Sequence, residues 1–119
     1  MWVIRREQMD SFMQEFEDRL TRHVAAHFPD DIKPLGEEGL REKVKLCVVS
    51  ARGYGIWSEI GIALYTDACF ALGEQQPSIV PGASETLDDE ELDGDTKARK
   101  FCDRIILYLD EREDELSAN

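Results

Sequence analysis

The stretch Ser58-Glu59-Ile60-Gly61-Ile62-Ala63-Leu64-Tyr65-Thr66-Asp67-Ala68-Cys69-Phe70-Ala71-Leu72-Gly73 decides the fold. Serine followed by glutamate is a helix start, because the hydroxyl accepts from an otherwise unpaired backbone N–H and the carboxylate faces the positive end of the helix dipole. Gly73 is the matching stop. Between them Ile60, Ile62, Ala63, Leu64, Ala68, Cys69, Phe70, Ala71 and Leu72 leave few positions for solvent, and a helix apolar nearly all round is a central, buried one. Tyr65 and Asp67 interrupt it and need partners for a hydroxyl and a carboxylate.

Upstream, Met9, Phe12, Met13, Phe16, Leu20, Val24 and Phe28 recur at steps of three and four, which predicts an amphipathic helix over 6–27. Pro29, with Asp30 and Asp31, ends it, since the residue before a proline is pushed out of the α region. Residues 32–39, with Pro34, Gly36 and Gly39, read as a connection. Leu40, Val44, Cys47, Val48 and Ala51 then line a second helix, with Arg41, Lys43, Lys45 and Arg52 on its other faces. Gly53 and Gly55 flank Tyr54 and supply a helix end and a reversal.

Downstream, residues 74–81 have no period and carry two prolines, so they connect. Residues 84–92 predict a short acidic helix capped by Ser84. Asp93-Gly94 makes a turn, and Asp95 or Thr96 caps a last helix striped by Ala98, Phe101, Cys102, Ile105 and Leu109. The expectation is an all-α, single-domain bundle spanning 1–119, with four main helices and one short acidic one. Residues 1–5 form an N-terminal arm and 111–119 a frayed acidic tail.

The 119 residues carry 26 acidic and 14 basic side chains, a formal charge of −12. Residues 1–73 hold 12 acids and 9 bases, net −3, and residues 74–119 hold 14 acids and 5 bases, net −9. Such a chain repels phosphate backbones and anionic lipid and favours encounter with a basic partner surface. Nucleic acid and membrane are thereby poor partners. The opening Met-Trp-Val-Ile-Arg-Arg reaches Glu7 and Asp10 before an apolar run develops, and no stretch approaches the roughly 20 apolar residues of a membrane span, so a cytoplasmic protein is expected. Cys47, Cys69 and Cys102 are odd in number, far apart and set among apolar neighbours, the pattern of reduced core thiols.

Chemistry-bearing residues are sparse. His23 and His27 stand four apart and share a helix face, but two imidazoles are too few for a metal site without a third ligand such as Glu17, Asp30 or Asp31. Carboxylate pairs such as Glu37 with Glu38 and Asp89 with Glu90 fall where solvent reaches them, whereas acid–base work requires a pocket. No Gly-x-Ser-x-Gly elbow or phosphate loop occurs, and Gly53-Tyr54-Gly55 is too short and lies between helices. The sequence thus predicts no catalytic, metal or cofactor site and a protein that is not an enzyme. Aromatic anchors are the interface signal: Trp2 in the arm, and Tyr54, Ile56, Trp57 and Glu59 around the second interhelical loop, are the candidate partner-binding residues.

Several strings occur in an ordered series: Ile4-Arg5-Arg6-Glu7-Gln8-Met9, Phe16-Glu17-Asp18-Arg19 through His27-Phe28-Pro29, Leu35-Gly36-Glu37-Glu38-Gly39-Leu40-Arg41, and Tyr54-Gly55-Ile56-Trp57-Ser58-Glu59 followed by Tyr65, Asp67, Phe70 and Gly73. Together, over about residues 4–73, they resemble a family of small bacterial proteins encoded beside type VI secretion components and their effectors. The resemblance implies a co-chaperone that associates with the adaptor chaperone delivering a toxin to the secretion spike. The alternative is an acidic immunity protein that binds and neutralises a cognate toxin. Self-association through an exposed heptad seam finds no uninterrupted seam in the sequence.

Overall fold

The computed structural model describes residues 6–73 and 75–117, without the side chains of 6–13, 31–32 and 114–117. The chain is all-α: five helices, four of them long, and no strand among the described residues. They are α1 (Arg6–His27), α2 (Pro29–Gly53), α3 (Glu59–Leu72), the short α4 (Ala83–Asp88) and α5 (Gly94–Ser117), with one 3-10 turn at Pro77–Ile79. The residues fall into two compact units, 1–46 and 47–119. No helix among the described residues is long and apolar enough to cross a membrane.

In the first unit the three- and four-residue spacing of α1 buries Phe16, Leu20 and Val24 on one stripe, and Leu40 and Val44 form the buried stripe of α2. Arg41 Nη1 donates to Asp18 Oδ1 at 3.3 Å, tying α2 to α1, and Arg41 Nη2 reaches Glu37 of α2 itself at 3.9 Å. α1 ends at His27, as the proline predicts. The connection expected over 32–39 is instead mostly helical: α2 opens at Pro29, and only Gly36, at φ 70° and ψ 176°, leaves the helical region. Proline fixes φ near the helical value and lacks an N–H that the first helical residue does not need, so Pro29 starts a helix as readily as it stops one.

In the second unit α3 packs along α5, and α4 packs on α5 and on the 3-10 turn. Phe70, Phe101, Ile56, Ile62 and Ile105 are its largest fully buried side chains. Tyr65 lies 5.2 Å from Phe101, ring over ring, and shares a 2.7 Å hydrogen bond with Ser50 of α2, so its hydroxyl has the partner that burial demands. Burial pushes the Tyr65 phenol well above its ordinary pKa. Cys47 is buried, whereas Cys69 and Cys102 are half-buried. Burial, with Asp103 and Asp67 adding to it, raises the Cys102 thiol, so it is a poor thiolate at neutral pH.

Two local expectations are corrected. Ser84 is not the cap of α4: Gly82 is, at φ 81°, and a Cβ there would come within 2.8 Å of the Arg104 Cζ. That helix stops at Asp88 because Asp89 Oδ1 takes the Glu91 N–H at 3.0 Å in an Asx turn. At α5 the cap is neither Asp95 nor Thr96 but Asp93, which accepts the Thr96 N–H at 2.8 Å and the Thr96 hydroxyl at 2.9 Å. Those two bonds, the backbone one first, hold the Asp93 carboxyl below its ordinary pKa. α5 runs on through the acidic segment to Ser117.

Candidate interaction surface

The segment joining α2 to α3 is built from the backbone outward. Tyr54 N donates to Ser50 O and Ala51 O, Gly55 N to Arg52 O at 2.9 Å, and Ile56 N to Ala51 O at 3.0 Å, so the last carbonyls of α2 are taken up by the turn itself. Gly55 sits at φ 85°, the left-handed conformation that glycine adopts without steric cost. The chain then re-enters helix at Ser58, whose Oγ accepts the Gly61 N–H at 2.9 Å.

The start of α5 closes on this turn. Lys97, 6% exposed, extends its Nζ to the Tyr54 carbonyl at 2.8 Å. A buried ammonium needs such a partner, and a carbonyl at the end of a helix is well suited because the dipole makes that end negative. Ser58 Oγ also meets Asp95 Oδ1. Gly94 lies so close that a Cβ on it would stand 2.5 Å from the Gly55 carbonyl oxygen and 3.1 Å from Ile56 Cα. Gly61 is equally confined, its virtual Cβ falling 2.8 Å from Ile56 and 3.1 Å from Asp95. Backbone therefore seats on backbone, and Ile56, fully buried, pins the turn from below.

The expected partner-binding residues separate on this frame. Ile56 is core, and Tyr54 is half-buried with its ring 6.2 Å from that of Tyr65. Trp57 projects with 70% of its surface exposed, one face of the indole under Arg52, whose Cζ is 5.8 Å from the ring centroid. Glu59 is exposed on the first turn of α3. Trp2 lies outside the described residues. Ile60, expected inside, is 67% exposed and joins Trp57 at the surface. Its neighbours one and two turns on, Ala63 and Asp67, are only half-buried, and Ala71 is exposed. The aspartate and small residues at those positions were the signal that this face of α3 looks outward.

Elsewhere, His23 and His27 lie with ring centroids 4.2 Å apart on α1, and the Nδ1 of His27 is 2.9 Å from the His23 carbonyl oxygen. Among the described residues no group of three or more histidine, cysteine, aspartate or glutamate side chains could hold a metal ion. The first unit has a groove of about 410 Å³ lined by Asp18, Thr21, Arg22, Ala25, Glu37, Leu40 and Arg41. Arg41 there is engaged with Asp18 and Glu37, and Arg22 Nε donates to the Asp18 carbonyl at 3.4 Å. The exposed side chains of the 54–60 segment, on their rigid seat, are the strongest candidate site. In comparisons with known proteins, no family model, no curated protein and no solved structure matches this chain.

Proposed function

We propose that the chain is a non-enzymatic binding protein whose 54–60 segment engages a partner, and that it serves type VI secretion as a co-chaperone of an effector adaptor chaperone. The observation that carries the binding reading is Trp57, 70% exposed beside Ile60 on a turn fixed by backbone hydrogen bonds. Large aromatics held rigidly at a surface lose little entropy on burial and concentrate binding energy. The partner's identity rests on the resemblance over residues 4–73. A cytoplasmic site of action, without catalysis or cofactor, follows from the same reading.

The test is capture by the tagged chain from an extract of its native host, with the wild type and Trp57→Ala side by side. An adaptor chaperone recovered by the wild type and lost with Trp57→Ala, at unchanged thermal stability, supports the proposal. Recovery of a toxin alone, with its activity quenched, replaces it with the immunity reading. Retention of the chaperone by Trp57→Ala, or loss of folding in that variant, removes the 54–60 segment as the interface.

A further inference from the structure

We infer that the surface around Trp57 and Ile60 receives a basic amphipathic segment of a partner protein, apolar on one side and lysine- or arginine-rich on the other. The inference rests on the binding reading above and adds the chemistry of what binds.

The apolar part is Trp57 and Ile60, exposed to 70% and 67% and three residues apart. Val49, 61% exposed, lies one turn before Arg52 on α2, and Arg52 in turn covers one face of the Trp57 ring. Single exposed apolar side chains need no explanation, but a group of them on a rigid turn does.

The rim supplies the partner's charge. Residues 88–95 run Asp-Asp-Glu-Glu-Leu-Asp-Gly-Asp, six acids with no base. This run is brought to the 54–60 segment by two contacts, Ser58 with Asp95 and the seat of Gly94 on Gly55. On the cationic side, Arg52 lies over the indole and Lys97 is buried with its ammonium on the Tyr54 carbonyl. The six carboxylates of 88–95 outnumber these two cations. An apolar patch with such a rim discriminates against nucleic acid and anionic lipid by like-charge repulsion, and selects a chain offering apolar side chains bordered by cations.

The test uses the full chain and two fluorescein-labelled synthetic helical peptides of equal length, one with leucines on one face and lysines on the other, the second with every lysine replaced by glutamate. Binding is followed by fluorescence anisotropy at low and high salt. The lysine peptide is expected to bind and to weaken about tenfold with added salt, and the glutamate peptide not to bind. Trp57→Ser, and separately the triple variant Asp88→Asn, Glu90→Gln, Glu91→Gln, are each expected to weaken the lysine peptide by about tenfold or more, while Ile106→Ser leaves it unchanged. Equal binding of the two peptides, no binding of either, or equal weakening by Ile106→Ser overturns the inference.

The same variants separate this inference from the reading beneath it. A captured partner lost with Trp57→Ser but held undiminished by the triple variant leaves the interface standing and overturns the basic segment. A partner held by both variants overturns the interface itself.

Discussion

Lys97 is the residue on which the second unit's turn depends. A lysine this buried persists only because the Tyr54 carbonyl receives it, and a charge-assisted bond of that kind is worth about 1.5–3 kcal/mol. Lys97→Met keeps the stem and removes the donor, leaving the carbonyl without it. A loss of about 2 kcal/mol in urea unfolding is expected, with the helix content of the folded state unchanged. Tyr65 gives the complementary prediction in pH. Its phenol is raised by burial in the folded state, while the unfolded chain releases the proton near the ordinary value of about 10. The unfolded state thus binds fewer protons above that pH, and stability falls as pH rises beyond about 10. Tyr65→Phe is expected to flatten that alkaline limb in melts taken across the range, and a limb unchanged in Tyr65→Phe assigns it elsewhere.

Among the elements, α2 shows what a sequence can and cannot disclose. Its break lies at Gly36, where φ is +70° and a Cβ would meet nothing within 4 Å, so the restriction is the backbone conformation and not space. Gly36→Ala is expected to cost about 1–3 kcal/mol, because φ 70° with ψ 176° is a region that essentially only glycine occupies. Gly53, with ordinary φ and open surroundings, is expected to gain up to about 1 kcal/mol on the same change. Thermal melts of the two variants should move in opposite directions. The helices at 6–27 and 59–72 were legible because apolar spacing and the Ser58 cap speak locally. Pro29 marked the end of α1 correctly, whereas Pro34, Gly36 and Gly39 misled by suggesting a connection over 32–39 where the chain is already mostly helical. The caps of α4 and α5 lie two or three residues before the positions expected, at Gly82, where Arg104 crowds any Cβ, and at Asp93, whose carboxylate takes the Thr96 N–H and hydroxyl. Trp57 and Glu59 were legible as surface by type and position, whereas Ile56 and Ile60 exchange the roles their neighbours suggest. No composition rule distinguishes them; the direction in which each side chain leaves the turn does.

For the whole molecule the governing quantity is charge. A net of −12, with −9 beyond residue 73, makes the folded chain repel itself more than the expanded unfolded chain does. Raising NaCl from about 0.02 M to about 0.5 M shortens the screening length several-fold and is expected to raise the melting temperature, with most of the gain in the first 0.15 M or so. A melting temperature that falls with salt would show attractive ion pairs outweighing the repulsion.

The seat of Gly94 on Gly55 has a consequence on an evolutionary scale. Because glycine backbone, the Tyr54 carbonyl and a buried isoleucine hold the turn, the outward apolar side chains at 57 and 60 contribute little to holding it. Mutation can re-address the turn to a drifting partner one substitution at a time, with no intermediate that fails to fold. The same seat makes position 94 intolerant, so a lineage that diversifies here is expected to vary around an unvarying glycine.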